Sequence, residues 1–118
     1  MIKLSTKGRY ATRIMVHLAL IGDGQTIRKQ DVAAAEGMSR DYVEQILINL
    51  KLAGLVSSVR GARGGFTLAR PASEITVAEV IEATEGPINL VPCLRDTCAR
   101  TRGCPTRALW QRANSALV

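Results

Sequence analysis

Aromatic side chains are scarce in this chain: one Trp, two Tyr and one Phe, 3% of 118 residues. Few large anchors remain, so a core must come mainly from aliphatic residues. Histidine is scarcer still. His17 stands alone, so the usual zinc set of four Cys and His ligands is hard to complete. Long apolar runs are missing too. Ile14 to Ile21 is the longest near-apolar stretch, His17 interrupts it, and it is far too short to cross a bilayer. The opening MIKLSTKGRY is charged and lacks the roughly 7–15-residue apolar stretch of a secretion signal. Without export, three cysteines do not read as a disulfide framework. These absences predict a cytoplasmic protein with no membrane segment.

What is present is apolar enough to fold. Hydrophobic residues make up 47% of the chain, which argues against disorder, and the length suits one core completed by dimerisation. The net charge of +6 is unevenly placed. Residues 1–70 hold eleven Lys and Arg against five Asp and Glu, while residues 71–118 hold five of each. A basic first part points to a polyanionic partner, with nucleic acid ahead of an anionic membrane.

The stretch Ser39–Arg70 carries the most organised signal. Before it, Tyr10, Ile14, Leu18 and Ile21 mark one face of a helix that Gly22 ends. Lys3, Lys7, Arg9 and Arg13 lie before or on the first turns of that helix, where cations and backbone N–H groups suit a phosphate or form a solvated basic end. A second helix is expected over Lys29–Glu36. Gly37 then supplies a left-handed turn, and Ser39 is a good N-cap for a third helix. That is helix-turn-helix grammar. In the third helix Val43, Ile46, Leu47 and Leu50 form an inward stripe, while Arg40, Asp41, Glu44, Gln45 and Lys51 take the opposite face. Arg suits guanine, Gln suits adenine, and an acid can accept from the cytosine amino group. The competing reading of Arg40 and Glu44 is an ordinary i,i+4 surface pair.

Two short strands, Leu55–Arg60 and Phe66–Arg70, flank the turn Gly61-Ala62-Arg63-Gly64-Gly65. Three glycines allow a tight turn, and Arg60 and Arg63 at its tip suit phosphate or minor-groove contact. Thr76 and Glu79 form a capping box that opens a helix ending near Glu85, with Val77, Val80 and Ile81 inward. The acidic face with Glu79, Glu82 and Glu85 is expected to point away from nucleic acid.

All three cysteines fall within one short loop: Cys93, Cys98 and Cys104. Pro105 predicts a final helix beginning there, with Cys104 at or next to its N-cap, where a thiolate is favoured. Arg95, Arg100, Arg102 and Arg107 surround the loop against one acid, Asp96. Three thiolates fit an iron–sulfur cluster better than zinc. The fourth ligand is open between Asp96, His17, a partner-subunit group and an exogenous molecule. A zinc-stabilised DNA- or protein-binding module is the alternative. A thiol enzyme would need a base beside a reactive cysteine, and no His or Glu lies close in sequence.

With these residues assembled, the chain resembles the IscR/NsrR-type winged helix-turn-helix iron–sulfur regulators. The resemblance rests on LSTKGRYA at Leu4–Ala11, YVEQIL at Tyr42–Leu47, AGLVSSVRGARGGFTLAR at Ala53–Arg70, the cysteine loop, and ALW at Ala108–Trp110. It implies a mainly α fold with a small β-wing and a C-terminal dimerisation helix. Residues 1–72 would form the DNA-binding region. Residues 73–118 would hold a capping helix, the cysteine loop and the start of the dimerisation helix, in one compact domain overall. The implied partners are a second copy of the chain and a double-stranded operator. DNA contacts are expected from Ser39, Arg40, Asp41, Tyr42, Glu44, Gln45, Arg60, Arg63 and Gly64, and cluster ligation from Cys93, Cys98 and Cys104. In IscR-like members the cluster changes promoter preference, and Glu44 matches the acid involved. Two positions depart from the pattern. Arg107 stands where IscR-like members carry a histidine ligand, and Arg9 lies near the first-helix aspartate ligand of NsrR-like members. The missing histidine favours 4Fe–4S over 2Fe–2S.

Overall fold

A computed structural model of the chain describes residues 4–22, 24–62, 64–88, 94 and 103–117. Arg63, Cys93, Asp96 and Cys98 therefore lie outside the described residues. The chain divides into two compact units, one spanning Leu4–Gly86 and the other containing the last helix.

The larger unit runs α1 (Thr6–Ile21), α2 (Lys29–Glu36), α3 (Arg40–Leu52), β1 (Val56–Val59), β2 (Gly65–Leu68), a 3-10 turn (Ala72–Glu74) and α4 (Val77–Glu85). The α3 stripe packs as its spacing predicts: Val43, Ile46, Leu47 and Leu50 are each 0% exposed. Burying side chains of this size contributes about 1.5–3 kcal/mol each. Against them lie Ala11, Ile14, Met15 and Leu18 of α1, Val32 and Ala33 of α2, and Val80 of α4. The buried face of α1 is thus centred on Ala11 and Met15 as well as Ile14 and Leu18, with Tyr10 and Ile21 only partly buried at its margin. Val77 was expected inward but is 59% exposed. As the first residue of α4, it lies a turn away from Val80 and Ile81, which carry the contact.

Both turns around the helix pair use glycine for a stated geometric reason. Gly37 adopts φ 66° and lets Met38 N–H reach back to Ala33 O at 2.9 Å. Gly54, at φ 76°, does the same for α3: Leu55 N–H bonds Leu50 O at 3.0 Å and the Gly54 N–H bonds Lys51 O at 3.0 Å. Leu55 then falls into the core at 1% exposure, the apolar contact that accompanies this helix ending. Ser39 caps α3 from its other end, accepting from the Tyr42 N–H at 3.2 Å.

The wing is an antiparallel pair with Val56 opposite Leu68 and Val59 opposite Gly65. Its strands are shorter than their sequence patterns, because Leu55, Arg60, Ala69 and Arg70 fall outside the ladder, while Gly65 joins it from the turn. Ile27, expected only as an extended entry to α2, pairs with Phe66 through two backbone bonds of 2.8 and 2.9 Å. β2 is thereby held on both edges. A Cβ on Gly65 would stand 2.5 Å from Ile27 O, and one on Gly64 would stand 2.3 Å from Val59 O. No side chain fits at either position.

α4 opens with the expected box: the Thr76 hydroxyl accepts from Glu79 N–H and the Glu79 carboxylate accepts from Thr76 N–H. In the second unit, α5 spans Arg107–Leu117. Its first i→i+4 bond runs from Trp110 N–H to Thr106 O at 3.0 Å. The helix therefore starts later than Pro105 predicted, and Cys104 lies in the turn before it. No helix among the described residues is long and apolar enough to cross a membrane.

Candidate nucleic-acid interface

α3 presents Asp41, Glu44, Gln45 and Ile48 at the same i, i+3, i+4, i+7 spacing as its buried stripe, but on the opposite side. Arg40, Asp41 and Gln45 are exposed, Glu44 is half-buried, and Ile48 is 51% exposed. Because the stripe fills the core, the rotation of the helix is fixed and these polar residues must face outward. Ser39 is exposed, with its hydroxyl engaged as the cap. Tyr42 differs from its neighbours. Its ring meets the Tyr10 ring edge to face, with centroids 5.8 Å apart and planes at 83°, so it braces α3 against α1. Arg13 lies over the Tyr10 ring, 5.5 Å from its centre.

Three polar contacts tie the wing, the start of α2 and α3 to one another. Lys51 Nζ donates to Ser58 Oγ at 2.8 Å, linking the end of α3 to β1. Arg28 Nη2 donates to Ala62 O at 2.6 Å, holding the wing turn beside the start of α2. Lys29 Nζ lies 3.1 Å from Glu44 Oε2. Glu44 is therefore paired with a lysine of another helix and not with Arg40 one turn away. Residues Arg28, Lys29, Glu44, Gly61 and Gly64 line one shallow groove between these elements. Arg60 is exposed at the wing and Gly64 is buried in its turn. Arg28 and Lys29 escaped the sequence reading. Their only local signal was two adjacent cations at the start of a helix, and their partners lie far along the chain.

Among the described residues, the start of α1 is met by an acid of the chain itself, and Lys3 lies outside them. The Glu85 carboxylate from α4 accepts from Ser5 N–H at 2.9 Å and from the Ser5 hydroxyl. It lies over Gly8, where a Cβ would meet Glu85 Oε1 at 2.5 Å. Arg13 is paired with Glu36 at 2.7 Å, and Arg9 donates to Thr6 Oγ1 at 3.4 Å. At the far edge of the wing, the Arg70 guanidinium bonds Glu79. That bond, with the Thr76 N–H, holds the Glu79 carboxyl below the usual glutamate range.

The fold agrees with that of similar proteins. Residues 4–118 match the family described as Rrf2, iron-dependent transcriptional regulators. The chain belongs to the Rrf2 family. The HTH-type transcriptional regulator IscR of Photorhabdus laumondii is 40% identical over 111 residues, covering 93% of this chain and 68% of that protein. The structure of CymR, the global cysteine regulator of B. subtilis, superposes with TM-score 0.82 at 35% identity, covering 99% of this chain and 87% of that one. T. potens IscR does so with TM-score 0.74 at 32% identity, covering 98% and 77%. The architecture is accordingly the winged helix of Rrf2 regulators, and the chain is a transcriptional regulator of that family and not an enzyme.

Of the three cysteines, only Cys104 is described. Its Sγ lies 3.3 Å from Thr106 Oγ1, and its carbonyl accepts from Arg107 N–H at 3.4 Å. Among the described residues no group of three or more His, Cys, Asp and Glu is placed to hold a metal. His17, one of the fourth-ligand options, has its Nδ1 3.5 Å from Glu36 Oε1.

Proposed function

We propose that this Rrf2 regulator reads a double-stranded operator as a cytoplasmic homodimer, under the control of an iron–sulfur cluster. Arg40, Asp41, Glu44 and Gln45 would meet base edges and phosphates from α3, while Ser39 and Tyr42 hold that helix in place. Arg60 and Arg63 would contact the phosphates or the minor groove from the wing. The buried Gly64, expected from the sequence as a contact, closes the turn through its N–H to Gly61 O at 2.9 Å. The observation that carries the reading is the outward polar face of α3, whose buried opposite face leaves it no other orientation.

Cys93, Cys98 and Cys104 would hold the cluster. The donor set fits it in chemistry: three thiolates are its usual ligands, and four arginines offset its negative charge. When bound, the cluster supplies a group whose oxidation or nitrosylation changes its charge and ligation. With Arg107 in place of a histidine ligand, 4Fe–4S is preferred to 2Fe–2S. A second reading draws on the likeness to CymR, described as a cysteine regulator: control through the thiols without a cluster.

Anaerobic purification with iron, sulfide and zinc analysis, followed by DNA selection with and without nitric oxide or oxygen, tests these readings. Iron and sulfide lost in Cys→Ala variants, with DNA binding altered by the gas, support the cluster. Colourless stoichiometric zinc supports a zinc-stabilised module. Metal-free protein whose sequence-specific binding responds to thiol reagents supports the second reading.

A further inference from the structure

Lys29 opens α2 and reaches Glu44 on the next helix, Nζ to Oε2 at 3.1 Å. Its backbone is well anchored. Ile27, two residues before, is paired with Phe66, and Arg28, one before, donates to the wing at Ala62 O. The lysine thus projects from a segment stitched to the wing and turns its charge onto the helix beside it. Glu44 remains 46% exposed at the side chain, and among the described residues no bond falls on its Oε1.

An unpaired carboxylate facing DNA repels phosphate whatever the sequence. A carboxylate paired with lysine loses most of that penalty yet keeps an oxygen that can accept. The major-groove donor suited to such an oxygen is the cytosine amino group. We propose that Lys29 is a positioning residue for base reading: it neutralises Glu44 and fixes its side chain so that Oε1 accepts from a cytosine. This inference rests on the reading of α3 as the base-reading helix. An exposed ion pair adds little to folding stability, so substitutions at both positions are expected to leave the protein folded.

The test is selection from a pool of randomised double-stranded DNA by the full chain, K29M, K29R, E44A and the K29M/E44A double variant. Thermal unfolding confirms that each is folded. The expected result is a cytosine preference that falls by about fivefold or more in K29M, the scale of one lost base contact. K29R retains it, E44A loses it, and K29M adds nothing in the E44A background. An unchanged preference in K29M overturns the inference. So does a K29M that binds all sequences more weakly, with a salt slope lower by about one and its preference intact, because Lys29 would then be a phosphate contact. A wild-type chain that selects no sequence overturns the DNA reading itself, a different outcome from either.

Discussion

Two helices in this chain begin alike and are completed differently. α1 and α3 each start at a serine whose hydroxyl accepts an N–H three residues on, from Gly8 at 3.1 Å and from Tyr42 at 3.2 Å. Each start carries the partial positive charge of a helix N-terminus. At α1 the chain supplies its own anion, Glu85, and the neighbouring Arg9 and Arg13 are engaged with Thr6 and Glu36. At α3 no carboxylate from another element reaches the start among the described residues, and Arg40 and Asp41 stand exposed. Basic residues near a helix start therefore do not by themselves mark an anion site. What matters is whether the fold brings an acid to that end first.

The largest expected effect tests what the two helices share. Ile14→Ala and Leu47→Ala each remove a side chain of 0% exposure from one core, and each should lower unfolding free energy by about 2–5 kcal/mol in urea titrations. A loss well under this at either position would show that the helices do not rest on a common core.

Gly64→Ala comes next. Its Cβ would lie 2.3 Å from Val59 O, so the wing turn must shift, at a cost of about 1–3 kcal/mol. DNA affinity should fall with it.

The caps separate the two starts directly. Ser5→Ala and Ser39→Ala should each cost about 1 kcal/mol of stability, but only Ser39→Ala should weaken DNA binding. Glu85→Gln should likewise destabilise the fold while leaving the salt dependence of DNA binding unchanged. A steeper salt slope would mean that the emptied α1 start had become a phosphate site.

The smallest effect is a pH dependence. The Glu79 carboxyl is lowered chiefly by the Arg70 hydrogen bond, from an ordinary value of 4.5. A depressed carboxyl contributes its stabilisation in full above its unfolded value and loses it as pH falls through the folded one. Stability should therefore decline in the acid range below 4.5, and Arg70→Gln should flatten that decline in melting temperature against pH.

Periodicity and capping chemistry are local, and they determined a good deal of this protein without help. The α3 stripe at Val43, Ile46, Leu47 and Leu50, the Ser39 cap, the Gly37 turn, the bounds of α2 and the Thr76–Glu79 box all follow from residues a few positions apart. So did the outward polar face of α3, because a buried stripe leaves one side of a helix free. Only the tertiary structure decided which charges meet. Lys29 with Glu44, Arg28 with the Ala62 carbonyl, Glu85 with Ser5 and Tyr42 with Tyr10 join residues far apart in the chain, and no spacing rule relates them. The physical reason is that side-chain periodicity records which face a residue occupies, whereas an ion pair depends on how two faces are turned toward each other by the core beneath them.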